Sequence, residues 1–139
     1  MGKKKPGKRK PVVELYSYGI YSPWDRQSRD LPNLKKITTT IPVRPDIEFG
    51  YVLKVRGGKG YLLDYEIVHP PIRDKIGEWM PPFTGKIIIP SNDWDFFLGD
   101  TVWEPFDEKA GQWTLITRIQ GREVARKYFD LSLSDTTKM

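Results

Sequence analysis

Residues 47–56, with the sequence IEFGYVLKVR, largely alternate between apolar and polar side chains. A period of two residues sends successive side chains to opposite faces of a β-strand. One face therefore rests on a core while the other meets water, which is typical of antiparallel sheets. The apolar face consists of Ile47, Phe49, Tyr51, Leu53 and Val55.

The strand pattern recurs in both directions from this stretch. Residues 63–67 and 113–119 alternate in the same way, and residues 37–41 and 86–89 are runs rich in β-branched side chains. At these spacings we count about seven strands. The sequence therefore predicts an all-β protein, most simply an antiparallel immunoglobulin-like β-sandwich. A barrel of the OB type is the alternative, because the two folds share this alternation.

Glycine and proline residues mark the turns and loops between the predicted strands. Gly57-Gly58-Lys59-Gly60 predicts a hairpin loop, and Gln120-Gly121 predicts a two-residue turn between the last two strands. Pro-Pro pairs at 70–71 and 81–82 predict an irregular connection between them. In the last predicted strand the apolar residues change from one set of alternate positions to the other, which predicts a bulge near Arg126.

Helix signals are confined to short segments. Trp94, Phe97 and Leu98 have helical spacing, Ser91-Asn92-Asp93 could cap a helix start, and Gly99 could end it. We expect one short helical turn there and another turn at residues 107–111.

The positive charge is concentrated at the N-terminus. The chain has 23 basic and 18 acidic residues, and six of the basic ones lie within the first ten positions, where no acid occurs. We expect residues 1–11 to be a disordered tail, 12–133 to form one domain, and 134–139 to be flexible. The tail is either a solubilising terminus or an arm that binds nucleic acid or another anionic surface. Its basic residues are Lys3, Lys4, Lys5, Lys8, Arg9 and Lys10.

The composition excludes several classes of chemistry. With 0 Cys and 1 His, thiol catalysis, zinc ribbons, iron–sulfur clusters and mechanisms with two imidazoles are absent. No serine-nucleophile motif accompanies His69, and the acids Asp93, Asp95 and Asp100 lack the spacing of a calcium loop. We therefore expect no enzymatic activity, no metal and no cofactor.

No apolar run is long enough for a membrane span or a secretory signal. We therefore expect a protein of the cytoplasm without a membrane-spanning segment. The sequence assigns no oligomeric state.

Aromatic residues that precede a proline-rich loop or lie in the Pro-flanked connection are the best candidates for partner contacts, because loops run over protein surfaces. The alternative is that they fold back to close the end of the sandwich. The candidate partner-binding residues are Tyr18, Trp24, Trp79 and Phe83.

Several short motifs resemble a bacterial family known as domain of unknown function 3859. The order of the motifs is ELYSYGIY at 14–21, TTIP at 39–42, Phe49-Gly50, HPP at 69–71, Gly111-x-Trp113, Gly121 and Phe129. The closing pattern is also similar to the last hairpin of many immunoglobulin-like accessory domains, in which the Trp packs inward. The resemblance covers about residues 12 to 133; it implies the fold and assigns no catalytic residue.

These observations predict a non-enzymatic interaction module with a protein partner, bound through loop aromatics or an edge strand. The alternative is nucleic-acid or anionic-surface binding through the basic tail alone.

Overall fold

The computed structural model describes residues 10–25, 27 and 30–133. Within them the chain forms nine β-strands and one turn of 3-10 helix at Asp107–Lys109. The strands are β1 Val12–Tyr21, β2 Leu34–Lys36, β3 Thr40–Pro42, β4 Glu48–Arg56, β5 Leu62–Val68, β6 Phe83–Ile88, β7 Asp93–Thr101, β8 Gly111–Ile119 and β9 Arg122–Ser132.

The strands form two separate sheets that face each other. Sheet A has the order β2-β1-β4-β7, and sheet B has the order β3-β9-β8-β5-β6. Neighbouring strands are antiparallel except β3 and β9, which run parallel. The predicted immunoglobulin-like sandwich is confirmed, with seven longer strands and the two three-residue strands β2 and β3. Two sheets with open edges also distinguish the fold from a closed barrel.

Strand β4 supplies the centre of the core. Phe49, Tyr51, Leu53 and Val55 are fully buried, as the alternation in residues 47–56 predicts. Phe49 meets Trp113 of β8 edge-to-face, with ring centroids 5.5 Å apart. Each such side chain contributes roughly 1.5–3 kcal/mol by leaving water. The inward position of the tryptophan agrees with the resemblance to the closing hairpin of immunoglobulin-like domains.

Three local predictions need correction. The loop at residues 57–60 is not a hairpin, because β4 lies in sheet A and β5 in sheet B, so the loop carries the chain between sheets. The expected helical turn at Trp94–Leu98 lies within strand β7, which pairs with β4 along its whole length. The run at 37–41 is divided, because only Thr40 and Ile41 belong to a strand.

The three remaining local predictions hold, one of them with a small shift. Gln120 and Gly121 both have positive φ, 52° and 80°, as a tight two-residue hairpin turn between β8 and β9 requires. The bulge in β9 falls at Val124 instead of Arg126, because Thr117 pairs with Ala125 while Arg118 pairs with Glu123. The turn expected at 107–111 contains the 3-10 turn.

Candidate functional site

The sandwich is open along one side, between strands β6 and β7. In the described residues β6 pairs only with β5, and β7 pairs only with β4, so each forms the edge of its sheet. A groove of about 390 Å³ lies between these two edges. Its β7 wall contains Phe96 and Leu98, and its β6 wall contains Phe83 and Ile87. We call this feature the β6–β7 groove.

An aromatic floor is built into the groove by a glycine on β6. Tyr65 of β5 stands opposite Gly85 in the sheet. A Cβ atom at position 85 would collide with the Tyr65 ring and hydroxyl, so glycine lets this ring lie across the edge strand. The Tyr65 ring also meets Phe96 with centroids 6.2 Å apart. The floor is therefore held in place from both sheets.

Few polar side chains line the groove, and strand β7 beside it carries several acidic residues. Thr84 and Asp100 are the polar side chains that line it. The Asp100 carboxylate accepts a hydrogen bond from the Thr101 backbone N–H at 2.9 Å. Asp93 and Asp95 are exposed on the outer side of the same strand. A mostly apolar concave site with a few polar groups is the usual form of a binding site.

Trp24 borders the groove from a loop that covers the outer face of sheet A. Its ring packs edge-to-face on Phe97, 5.1 Å between centroids, and Tyr21 packs on the same ring at 5.0 Å. The Trp24 indole N–H donates to the Asp30 carbonyl at 3.3 Å. Phe97 and Val52 are therefore buried on the face of sheet A that would otherwise meet water.

The His69 ring lies within hydrogen-bonding distance of both ends of the proline-flanked connection. Its Nδ1 lies 2.7 Å from the Pro70 carbonyl and its Nε2 lies 2.9 Å from the Pro81 carbonyl. The ring is also flanked by Phe83 and Trp113, at 4.6 and 5.7 Å. Both ring nitrogens therefore face backbone carbonyl oxygens. This geometry supports a positioning role for His69 beside Phe83, which lines the groove.

A short hairpin projects from the same connection. Arg73 and Trp79 form an antiparallel bridge, and the Asp74 carboxylate accepts backbone hydrogen bonds from Ile76 and Glu78, both at 2.9 Å. Trp79 is 59% exposed, with the Arg73 guanidinium 3.9 Å from its ring centroid. Trp79 does not line the groove.

Lys109 is a buried charge that the sequence did not single out. It is 1% exposed, donates from Nζ to the Pro105 carbonyl at 3.1 Å, and lies 4.4 Å from the centre of the Trp103 ring. Burial lowers the pKa of its ammonium group, against the opposing effect of nearby carboxylates, Glu108 first. The Lys109 carbonyl accepts the Trp113 indole N–H at 2.8 Å, so this turn also fixes a core residue.

Among the four predicted partner-binding residues, the structure brings Trp24 and Phe83 together at the groove. Tyr18 instead lies on the inward side of β1, half-buried, with the Lys127 ammonium 3.9 Å from its ring centroid. Trp79 stands apart on the hairpin. Sequence analysis missed Phe96 and Leu98 as groove residues, because their segment was interpreted as a helical turn.

Of the six basic residues of the tail, Lys10 is the one that the structure describes, and it is exposed. Lys3, Lys4, Lys5, Lys8 and Arg9 lie outside the described residues, as do positions 134–139.

Two further observations concern metal binding and membrane spans. No group of three or more His, Cys, Asp or Glu side chains in the described part of the chain is arranged to hold a metal ion. Within the same residues no helix has the length and apolar composition of a membrane span.

Comparisons with known proteins agree with the architecture. The chain is similar to a solved structure described as an immunoglobulin-like protein from Pseudomonas aeruginosa, with 18% sequence identity and a TM-score of 0.69. The match covers 87% of this chain and 97% of the other, and at this identity it supports the fold alone. No curated protein sequence matches the chain. A family model matches residues 9–131, and the chain therefore belongs to the family described as Domain of unknown function (DUF3859).

Proposed function

We propose that this domain is a non-enzymatic interaction module that binds an extended peptide segment of a partner protein in the β6–β7 groove. One observation carries the proposal: the apolar groove runs directly beside the open edge of β7.

An edge strand has backbone groups that are free to pair with an added strand. Because β7 pairs on one side only among the strands that the structure describes, alternate N–H and C=O groups along it face away from β4. A peptide that forms hydrogen bonds with this edge sends every second side chain toward the groove. Backbone pairing would supply affinity, and the recess between Phe83, Ile87 and Phe96 would select apolar side chains.

The charges on β7 indicate the chemistry of the peptide. Asp93 and Asp95 are exposed, and Asp95 has only a long contact with Lys54, 3.6 Å between Nζ and Oδ2. An exposed pair of this kind contributes little stability, so the carboxylate can exchange partners at low cost. The favoured segment therefore alternates apolar residues with Lys or Arg.

The test selects 12-residue peptides from a random display library against the full chain, followed by Kd measurements on the enriched peptides. Ile87→Lys places a charge inside the groove, and Ile88→Lys is the matched control, because Ile88 lies next along β6 and is 60% exposed. Asp95→Asn removes one acid of β7 without changing shape. Thermal unfolding establishes that each variant remains folded.

The proposal expects enriched peptides with alternating apolar and basic residues. Ile87→Lys should weaken them about tenfold or more, the effect of about 1.4 kcal/mol, whereas Ile88→Lys should leave Kd unchanged. Asp95→Asn should cause a smaller loss that disappears at high salt. Peptides that bind all three variants with equal affinity would contradict the proposal. A dimer of the free chain that Ile87→Lys dissociates would also contradict it, because a second copy of the chain would then occupy the groove.

A second candidate function is nucleic-acid binding through the basic tail. The exposed position of Lys10, where the tail joins the sandwich, supports it. A full-length variant with all six basic tail residues changed to Gln should lose binding to a DNA duplex. The logarithm of the wild-type binding constant should also fall with the logarithm of salt, with a slope of about −5 for about six neutralised phosphates. Binding that does not depend on salt would contradict this function.

A further inference from the structure

Four chain segments meet at the end of the sandwich where the tail enters β1. Pro11 lies against the loop at residues 57–60, where a Cβ atom on Gly58 would be 3.5 Å from the Pro11 Cβ. The Asn92 side chain accepts the Lys59 backbone N–H at 3.0 Å. The Gln120 side chain accepts the Leu62 backbone N–H at 2.7 Å. These long-range hydrogen bonds fix the positions of the segments relative to one another.

Basic side chains from three of these segments are exposed at this end. Lys10, Arg56, Lys59 and Arg122 are all exposed, and in the described part of the chain none of them has a carboxylate within 4.0 Å. Asp93 stands opposite Arg56 across the β4–β7 pair and offsets only part of this charge.

Two other arginines of the body have close carboxylate partners. Arg118 contacts Asp64 at 3.0 Å and Glu66 at 2.9 Å, and Arg126 contacts Glu123 at 2.8 Å. Positive charge without a close carboxylate therefore collects at the end of the body where the described chain begins.

A notch of about 290 Å³ opens beside Lys10 and Arg122, two of these basic residues. Tyr61, half-buried, lines it together with Ile119 and Val124, and Lys10 and Arg122 lie at the same opening. Its volume is at the small end of ligand sites, which suits one planar ring system.

We propose that this end of the sandwich is a binding site for single-stranded nucleic acid. The phosphates lie across Lys10, Arg56, Lys59 and Arg122, and one base enters the notch beside Tyr61. Stacking of a base on an aromatic ring together with a basic path for the backbone is the usual means of binding single strands. The inference rests on the second candidate function and extends it from the tail to the folded body.

The shape of the notch favours nucleic acid over a membrane surface. A protein anchors on a bilayer by projecting apolar side chains into the acyl boundary, in addition to basic residues. Here Tyr61, Ile119 and Val124 are recessed, so a flat base can reach them and a bilayer cannot.

The test measures binding of a fluorescein-labelled 15-nucleotide oligothymidylate to the full chain by anisotropy over a range of salt concentrations. Lys59→Glu/Arg122→Glu removes two basic groups of the proposed site. Lys35→Glu/Lys75→Glu is the matched control, because both residues are exposed elsewhere on the body and the net charge changes equally. Tyr61→Leu keeps an apolar side chain in the notch and removes the ring. Thermal unfolding is measured for each.

The site variant should bind about tenfold more weakly at low salt, and its log–log salt slope should be shallower by about 1.4, or 0.7 for each phosphate on a single strand. Tyr61→Leu should weaken binding about fivefold or more, as the loss of one stacked base does, with the salt slope unchanged because stacking releases no counterion. The control should match the wild type.

Three results would overturn the inference. The site variant and the control could behave alike while the tail variant loses binding, which would restrict the function to the tail. The oligonucleotide could fail to bind the wild type, which would remove the second candidate function as well. Finally, vesicles of phosphatidylcholine and phosphatidylserine could bind more tightly than the oligonucleotide, which would identify a lipid surface as the partner.

Discussion

The hydroxyl groups of Tyr51 and Thr117 lie 2.7 Å apart in the middle of the core and join β4 of one sheet to β8 of the other. Both residues are 0% exposed. Each hydroxyl has its partner in the opposite sheet, so the bond is made only when the two sheets face each other in this arrangement. A satisfied polar pair in an apolar core specifies packing more than it adds stability.

Tyr51→Phe should lower the free energy of unfolding by about 1–2 kcal/mol at neutral pH, because it leaves the buried Thr117 hydroxyl without its partner. Urea denaturation provides the measurement. Tyr51→Phe/Thr117→Val should be less destabilised than the sum of the two single variants. Additive effects would show that the two hydroxyls do not depend on each other.

The same pair should make the fold sensitive to alkali. Burial raises the pKa of the Tyr51 hydroxyl well above its ordinary value of 10.0, and burial also raises the pKa of Tyr21. Above pH 10 the unfolded chain releases these protons while the folded chain retains them, so stability is present below pH 10 and is lost as pH rises further. Tyr51→Phe should reduce this alkaline loss. An equal loss in the variant, measured as unfolding free energy from pH 8 to 11, would assign the effect to other groups.

Trp24 and Trp79 should respond differently to truncation. Trp24→Ala uncovers Phe97 on the outer face of sheet A and should lower stability by about 2 kcal/mol, less than a fully buried tryptophan. Trp79→Ala should change stability by less than about 0.5 kcal/mol, because that ring is 59% exposed on the hairpin. Equal losses of unfolding free energy would show that Trp79 also belongs to the core.

A row of glycines should be essential to the pairing of the strands that form the groove. Gly50 lies between Gly19 and Gly99 across β1, β4 and β7. A Cβ atom at position 50 would collide with the Leu98 carbonyl, so Gly50→Ala should push β7 from β4 and cost about 3 kcal/mol. Gly121→Ala is the comparison, because no atom lies within 4 Å of its Cβ position and only its positive φ of 80° opposes the change. A fully stable Gly50→Ala protein would contradict this packing.

The sequence predicted strands β4 and β8 correctly and predicted β7 wrongly, because the alternation of polar and apolar residues is preserved in the first two and broken in the third. In residues 47–56 and 113–119 polar residues alternate with most of the apolar ones, although Val52 and Ile116 are buried on the second face. In β7 the acids Asp93 and Asp95 alternate with apolar residues only as far as Phe97, which is buried beneath Trp24 on the outer face. That break places apolar residues at helical spacing by coincidence.

The groove could not be predicted, because it depends on strand order. Nothing local distinguishes a loop within a sheet from one between sheets, and the interpretation of residues 57–60 as a hairpin was wrong for that reason. Only the pairing of β6 with β5 and of β7 with β4 leaves two edges beside each other. Trp24 and Phe83 were identified because aromatic residues near prolines mark loops at a sheet's end.

Amide hydrogen exchange of the full chain with and without an enriched peptide tests the central claim most directly. Strand addition should protect alternate amides of β7, between Asp93 and Thr101, and should leave those of β2 on the opposite edge of sheet A unchanged. Protection confined to the hairpin around Trp79, or to β2, with β7 unaffected, would contradict binding in the β6–β7 groove.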